Sequence, residues 1–480
     1  MTMASPSPIE RIKNKLDHPV IDADCHVIEF TPVFLDYLKA VGGSEIAARF
    51  AKRQVNWYKM SGQERLDKQR TRTPWWALPS ANTLDRATAM LPGLLNKRLD
   101  EMGIDYAIAY PTLGLIFPGD PVEDVRRACC RALNTYHAEL FSSYSSRMTP
   151  VAVIPLATPE EGIEELEYAV KVLGLKAIMT PSLIRRPVAE AARISPKASQ
   201  YATRIDTLAF ESDYDYDPFW AKCRELKVAV TVHSGGSGWG TRNSVNNYMY
   251  NHIGNFAAAA EGFSRALIMG GVTRRFPELK FAFLEGGVGW ASALYSGLIG
   301  HWQKRNRQAL QAYDPATLDY RQLAALFAEY GQDVTTRKVS AEDFTQDFLT
   351  KNPEDPAMLD EFAACGFECI EDIRDQFQPN FYFGCEADDP QTALAFDRRL
   401  NPLQVTLKAM FGSDIGHWDV PDMSTVLGEA YELVDKGLLS ADDFRAFTFT
   451  NAATLHGGMN PDFYKGTVVE NAVSAVLAST

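Results

Sequence analysis

The chain has 480 residues, 46% of them hydrophobic and 23% charged, with a net charge of −13 and a pI near 5.2. Such an acidic balance excludes non-specific binding to nucleic acid or anionic membranes, which needs a basic surface, and no apolar run reaches the roughly 20 residues of a transmembrane helix. The length allows a large core in one elaborated domain or two. The opening Met1-Thr2-Met3-Ala4-Ser5-Pro6 lacks a basic-then-apolar leader, and seven cysteines without zinc-knuckle or redox spacing fit a reducing cytosol, so a cytoplasmic protein is expected.

Short β-rich runs alternate with helical stretches, the pattern of a parallel α/β sheet. The first run, Val20–His26, ends in Asp22-Ala23-Asp24-Cys25-His26. Residues two apart on a strand share a face, so Asp22, Asp24 and His26 would converge with no lysine or arginine nearby in sequence. Such a cluster repels itself unless a cation or many hydrogen bonds intervene. Asp22, one step below the mouth, is either a further ligand or a supporting group behind the ligands. About 80 residues then precede the second strand, rich in aromatics and arginine (Trp57, Tyr58, Arg70, Arg72, Trp75, Trp76). Residues 37–100 exceed an ordinary connection and are expected to roof the site, with Arg72 and Trp75 as substrate contacts.

Strands two to four are read at Tyr106–Pro111, Thr149–Ile154 and Leu175–Met179. The fifth, Val228–His233, ends in a histidine followed by glycines that would let a ligand approach the backbone; a histidine bonded to a loop carbonyl is the alternative. His252 lines the pocket, carries a proton, or is structural. The sixth strand, Lys280–Glu285, ends in an acid that is costly if unpaired, so Glu285 should meet a metal, an arginine or a substrate amine. Trp290 packs either on substrate or in the core. Residues 295–378 read as a second, helical insertion. The seventh strand, Asn380–Gly384, is followed by Glu386, a candidate substrate contact. The eighth, Leu407–Gly412, is followed by Asp414, which can ligate a metal and accept a proton from its water, and by His417, which can reach the same mouth. Residues 460–480 read as an arm across this subunit or another.

Eight such units point to a (β/α)8 TIM barrel with its site at the C-terminal strand ends. The polar residues stand where that rule wants them: His26, His233, Glu285, Glu386 and Asp414 all follow apolar strand cores. No Gly-x-Ser-x-Gly elbow, Walker loop or dinucleotide fingerprint occurs in a suitable context.

Asp24-Cys25-His26, His233-Ser234-Gly235, the stretch from Gly270 through Trp290, Gly412-Ser413-Asp414 and Asn451-Ala452-Ala453 together resemble the amidohydrolase superfamily, in its second large branch, which includes aromatic-acid decarboxylases. The resemblance implies a (β/α)8 barrel with Zn²⁺, Mn²⁺ or Fe²⁺ at its mouth, as one ion or two. It implies Asp24 and His26 as first-strand ligands, His233 from the fifth strand and Asp414 from the eighth, with Glu285 a further candidate. Two departures stand out. Many members carry His-x-His at the first strand, where Asp24 supplies a hard oxygen that favours manganese or iron over zinc. Family decarboxylases tend to carry histidine after strand six, where this chain has Glu285.

The leading expectation is a metal-dependent hydrolase of a small organic substrate, with Asp414 as general base and Glu285 and His252 assisting. Alternatives are a dinuclear iron or manganese oxygenase, a non-oxidative decarboxylase with Arg70 or Arg72 holding a carboxylate, and a non-catalytic paralogue. The insertions point to a homo-oligomer, or a hetero-oligomer with a paralogous subunit.

Overall fold

A computed structural model describes residues 6–72, 81–233, 239–337, 344 and 359–479. The chain divides into two compact units, Met1–Tyr295 with Arg374–Thr480, and Ser296–Ile373. The first unit carries ten strands: β1 (Ile21–Val27), β2 (Tyr106–Pro111), β3 (Met148–Val153), β4 (Ala177–Thr180), β5 (Ile184–Pro187), β6 (Thr203–Asp206), β7 (Val230–Val232), β8 (Phe281–Phe283), β9 (Phe381–Glu386) and β10 (Lys408–Gly412). Eight form a parallel sheet in the order β1-β2-β3-β4-β7-β8-β9-β10, while β5 and β6 pair as a separate antiparallel hairpin. β10 meets β1 at a seam where Asp414 N donates to Asp24 O (3.0 Å) and Ser413 N to Asp22 Oδ1 (3.0 Å). The fold is a (β/α)8 barrel.

Every residue of β1, β2 and β3 is buried. Helices cover the outside and side chains fill the inside, so β2 and β3 read as largely apolar runs, while β1 alternates apolar residues with the buried Asp22, Asp24 and His26. β8 and β9 are held by Phe281, Phe283, Phe381, Phe383 and Trp290, whose ring centroids lie 5.3–6.1 Å apart. Each such pair contributes about 0.5–1.5 kcal/mol beyond its buried area, and the cluster fixes the two strands from which Glu285 and Glu386 project.

The helix Thr31–Lys59, broken at Gly43 (φ 83°), packs along Glu123–Phe141. Phe34 stacks on Phe117 at 5.3 Å and Arg49 forks onto Asp124. Further on, Arg65 Nε donates to Val245 O (2.7 Å) and Arg72 N to Ser244 O (3.3 Å), tying residues 65–72 to the segment after β7. Trp75 and Trp76 lie outside the described residues. The C-terminal segment packs on its own barrel: Tyr464 Oη donates to Ala452 O (3.0 Å), and Val469 and Val473 enter the core. In the second unit, Asp319 caps the helix Tyr320–Tyr330 and Phe327 packs edge-on against Phe344 at 5.1 Å. Among the described residues no helix is long and apolar enough to cross a membrane.

Candidate metal centre

The polar residues gather at the C-terminal strand ends. Asp24 and His26 belong to β1; His233 and Glu285 lie just beyond β7 and β8; Glu386 ends β9; Asp414 and His417 follow β10. Glu285 (φ 54°) and Asp414 (φ 49°) adopt the left-handed conformation, which costs a non-glycine residue about 1–2 kcal/mol. A Cβ on Gly412 would sit 2.9 Å from Asp24 Cβ, so only glycine lets β10 approach the ligand-bearing strand this closely.

His26 Nε2 is 3.1 Å from His233 Nε2, 3.3 Å from Asp24 Oδ1 and 3.5 Å from Asp414 Oδ1. Glu285 reaches His233 Nε2 at 3.0 Å and His252 Nε2 at 3.7 Å. His417 Nδ1 lies 2.7 Å from Asp414 Oδ1, its ring stacks on His26 at 3.9 Å, and Thr112 Oγ1 is 3.3 Å from its Nε2. Asp22 stands apart from this group. β1 slips register against β2 between Asp22 and Cys25, and an extra residue there breaks the two-residue alternation assumed from the sequence. Asp22 instead accepts from Asp24 N (3.1 Å), Ser413 N and Ser413 Oγ, bracing the seam beneath the ligands.

Burial dominates the electrostatics. It raises Asp24 to about 6, opposed by His233, and holds His26 and His233 down to about 3. Glu285 and Asp414 are pushed well above the usual carboxylate range by burial and then by neighbouring carboxylates. Glu386 rises to about 8 through burial, then Asp419, Asp388 and Asp389. Without a cation, burial keeps the imidazoles neutral and shifts the carboxyls towards protonation; a divalent ion favours the carboxylate forms instead.

The residues present fit such an ion. Asp24 Oδ1, Glu285 Oε2 and both Asp414 carboxyl oxygens are buried and receive no aligned hydrogen bond, although imidazole nitrogens stand close by. Three sets of ligand atoms lie within 4.8 Å of one another: Asp24, His26 and His233; His26, Glu285, Asp414 and His417; and Glu285, Glu386 and Asp419. No lysine or arginine is among the described residues lining the mouth, a cavity of about 190 Å³ that includes His252, Phe256, Glu285, Glu386 and Asp389. Mixed imidazole and carboxylate donors suit Zn²⁺, Mn²⁺ or Fe²⁺.

His252 lies half-buried on the mouth wall against Phe256 (5.3 Å), Tyr248 (5.3 Å) and Trp418 (5.6 Å). Trp290 sits behind it, its ring against Phe283 and Phe383. The Arg72 guanidinium donates to Asn246 O (3.3 Å) and is not among the lining residues. Trp75 falls outside the described residues. Sequence reasoning missed Asp419, Tyr248, Phe256 and Trp418. Asp419 had one available signal, its place two residues after His417 on the same loop.

A family model described as amidohydrolase matches residues 21–334. Among solved structures, the chain is similar to an amidohydrolase from Mycobacterium avium subsp. paratuberculosis K-10, with 19% identity, 92% of this chain and 98% of that one covered, and a TM-score of 0.53. It is also similar to a dihydroxybenzoic acid decarboxylase from Polaromonas sp. JS666, solved with manganese and 2-nitroresorcinol, at 14% identity, 92% and 97% coverage and a TM-score of 0.47. The likeness to the mycobacterial structure bears on the fold, and the family match, spanning well over half of the sequence, settles kinship. The chain belongs to the amidohydrolase superfamily, in its amidohydrolase 2 branch.

Proposed function

We propose that this protein is a metal-dependent hydrolase of a small, uncharged organic substrate, with Asp24, His26, His233 and Asp414 holding the cation. The family's members are metal-dependent enzymes. A bound divalent ion supplies Lewis-acid polarisation and an acidified water. The observation carrying the reading is Asp414: a buried carboxylate at the last strand end, both oxygens free of aligned hydrogen bonds, 2.7 Å from an imidazole nitrogen. Asp414 accepts the proton of the attacking water. His417, held between the stacked His26 ring and Thr112 Oγ1, passes that proton to the leaving group. Glu285, 3.0 Å from His233 Nε2, would add a carboxylate beside the imidazole donors, and the aromatic wall of Tyr248, Phe256 and Trp418 around His252 excludes water from one side of the substrate.

The acidic lining supports an uncharged substrate over an aromatic carboxylate, because no described lining residue offers a cation to anchor one. A second reading, oxidation at a two-cation centre, is favoured by the third carboxylate set, Glu285, Glu386 and Asp419. One isotope experiment separates the readings. The purified protein, loaded with Mn²⁺, Fe²⁺ or Zn²⁺, is offered small amides, esters and lactones alongside aromatic acids and phenols. Product oxygen drawn from H2¹⁸O supports hydrolysis; label drawn from ¹⁸O2 supports the oxidative reading; loss of CO2 with neither label returns the site to decarboxylation.

A further inference from the structure

We propose that Lys408, at the end of the barrel opposite the mouth, is a modification site: a half-buried amine that takes up an acyl group from an activated donor of the acyl phosphate class. The inference is independent of the chemistry assigned to the mouth. Lys408 opens β10 and is the register partner of Tyr382 on β9, while Lys280 immediately precedes β8, whose Ala282 pairs with the same tyrosine. Three neighbouring strands thus begin on two amines and a phenol. In a (β/α)8 barrel this end serves stability, and charge without compensation is out of place there.

The geometry holds the amine without giving it a counter-charge. Lys408 Nζ donates to Pro379 O (3.2 Å) and Tyr382 Oη (3.1 Å) and stands 4.5 Å from the Tyr382 ring centroid. Lys280 Nζ stands 5.7 Å from the same centroid, and its stem packs so closely on Gly458 that a Cβ there would lie 2.7 Å from Lys280 Cε. Tyr382 is fully buried, and its hydroxyl also bonds the Thr454 side chain on the helix Asn451–Gly457. Among the described residues no carboxylate pairs with either lysine. A ring face and two neutral oxygens are weaker partners for an ammonium than a carboxylate. Burial, and after it the Lys280 charge, holds Lys408 down to about 7, and burial lowers Lys280 as well.

An amine that has lost its proton at neutral pH is a nucleophile. An ordinary lysine is unprotonated in only about one molecule in a thousand near physiological pH; Lys408 has no such handicap. Its Nζ lone pair attacks the acyl carbon of the donor, the carbon–oxygen bond to phosphate breaks, and inorganic phosphate leaves with the electron pair. The nitrogen gives its proton to solvent and an amide remains. A protonated Lys280 serves the step twice, drawing in the anionic donor and disfavouring a second cation at Lys408. The contact of Lys408 with Pro379 O is open to solvent, which gives a small donor its access.

The test is competitive labelling of the full-length protein with acetyl phosphate, read residue by residue by mass spectrometry from mildly acidic to alkaline pH. At neutral pH, Lys408 should acetylate about tenfold faster than the exposed Lys52 and Lys97. Its rate should level off above about 7 while theirs keeps climbing. Lys280→Met, checked for folding by a thermal melt, should move that plateau to higher pH, because a neighbouring positive charge is gone. Labelling of Lys408 no faster than Lys52 and Lys97, or a rate that rises throughout the series, overturns the site. Acetylation found first on Lys280 overturns it too, as does a label that reaches Lys408 only in urea, which would mean an amine sealed inside the fold. A plateau that stays in place in folded Lys280→Met overturns the role given to Lys280.

Discussion

Two groups of buried charges in the same barrel are treated in opposite ways. On the flanks, Arg126 forks onto Glu161 at 2.8 and 3.0 Å and donates to Asp120 O at 2.7 Å; Arg186 does the same with Asp206, Tyr216 and Ala157; Arg98 reaches Asp85 and Thr88, both at 2.7 Å. Each guanidinium finds a partner for its fork, as a buried ion pair must to offset its desolvation. At the mouth, carboxyls face four imidazoles that burial keeps neutral, and Asp24 Oδ1, Glu285 Oε2, both Asp414 oxygens and Asp419 Oδ1 go without aligned donors. Burial alone therefore does not mark a functional site. The mouth combines burial with unfinished hydrogen bonding and a missing counter-charge, whereas the ion pairs of Arg98, Arg126 and Arg186 on the flanks supply both donors and counter-charge.

The largest expected effect lies at the mouth. Asp414→Asn should lower kcat/KM for the hydrolysed substrate by about 10³, and a loss under tenfold in the metal-loaded variant would remove Asp414 as the base. His233→Ala should leave no metal after desalting; full retention, measured by elemental analysis, would break the imidazole-side centre. On the flank, Arg126→Ala leaves Glu161 buried without its cation and should cost about 3–5 kcal/mol in urea denaturation, with metal content unchanged.

A pH series sharpens the contrast further. Burial and neighbouring acids lift Glu386 from 4.5 to about 8, so between those values the folded chain keeps a proton that the unfolded chain has lost. Stability of the chelated protein should therefore fall as pH rises from 4.5 to 8, and Glu386→Gln should flatten that slope in thermal melts. The smallest effect belongs to the brace. Asp22→Asn should cost about 1–2 kcal/mol through weakened bonds to Asp24 and Ser413, with metal content intact; loss of the metal would promote Asp22 to ligand.

Much of this was legible in the chain. The barrel strands announce themselves because both faces are covered, leaving apolar runs punctuated by a polar residue at the mouth. His26, His233, Glu285 and Asp414 could be placed by that rule alone. What escaped has physical reasons. The β5–β6 hairpin is built from Ile184-Arg185-Arg186-Pro187 and Thr203-Arg204-Ile205-Asp206, too short and charged to read as strand. Asp22 shares the spacing of Asp24 and His26, but a register slip invisible in sequence turned it to the seam. Asp419 lies on a loop, where no periodicity dictates which way a side chain faces. His252 and its aromatic neighbours owe their place to the tertiary path of the segment after β7.

The brace at the seam sets an order of events in the cell. Asp22 joins Ser413 across 391 residues, so the ring cannot shut until the chain has been made through Ser413 and that residue has left the ribosome. A nascent chain halted before Ser413 would already display Asp24, His26, His233 and Glu285, yet hold them on an open sheet. Loop closure over that distance is slow to arrive, and an ion that binds only the shut ring acts as a latch on a finished product. Metal loading should therefore be among the last steps of maturation, and a stalled or truncated chain should emerge from synthesis with none.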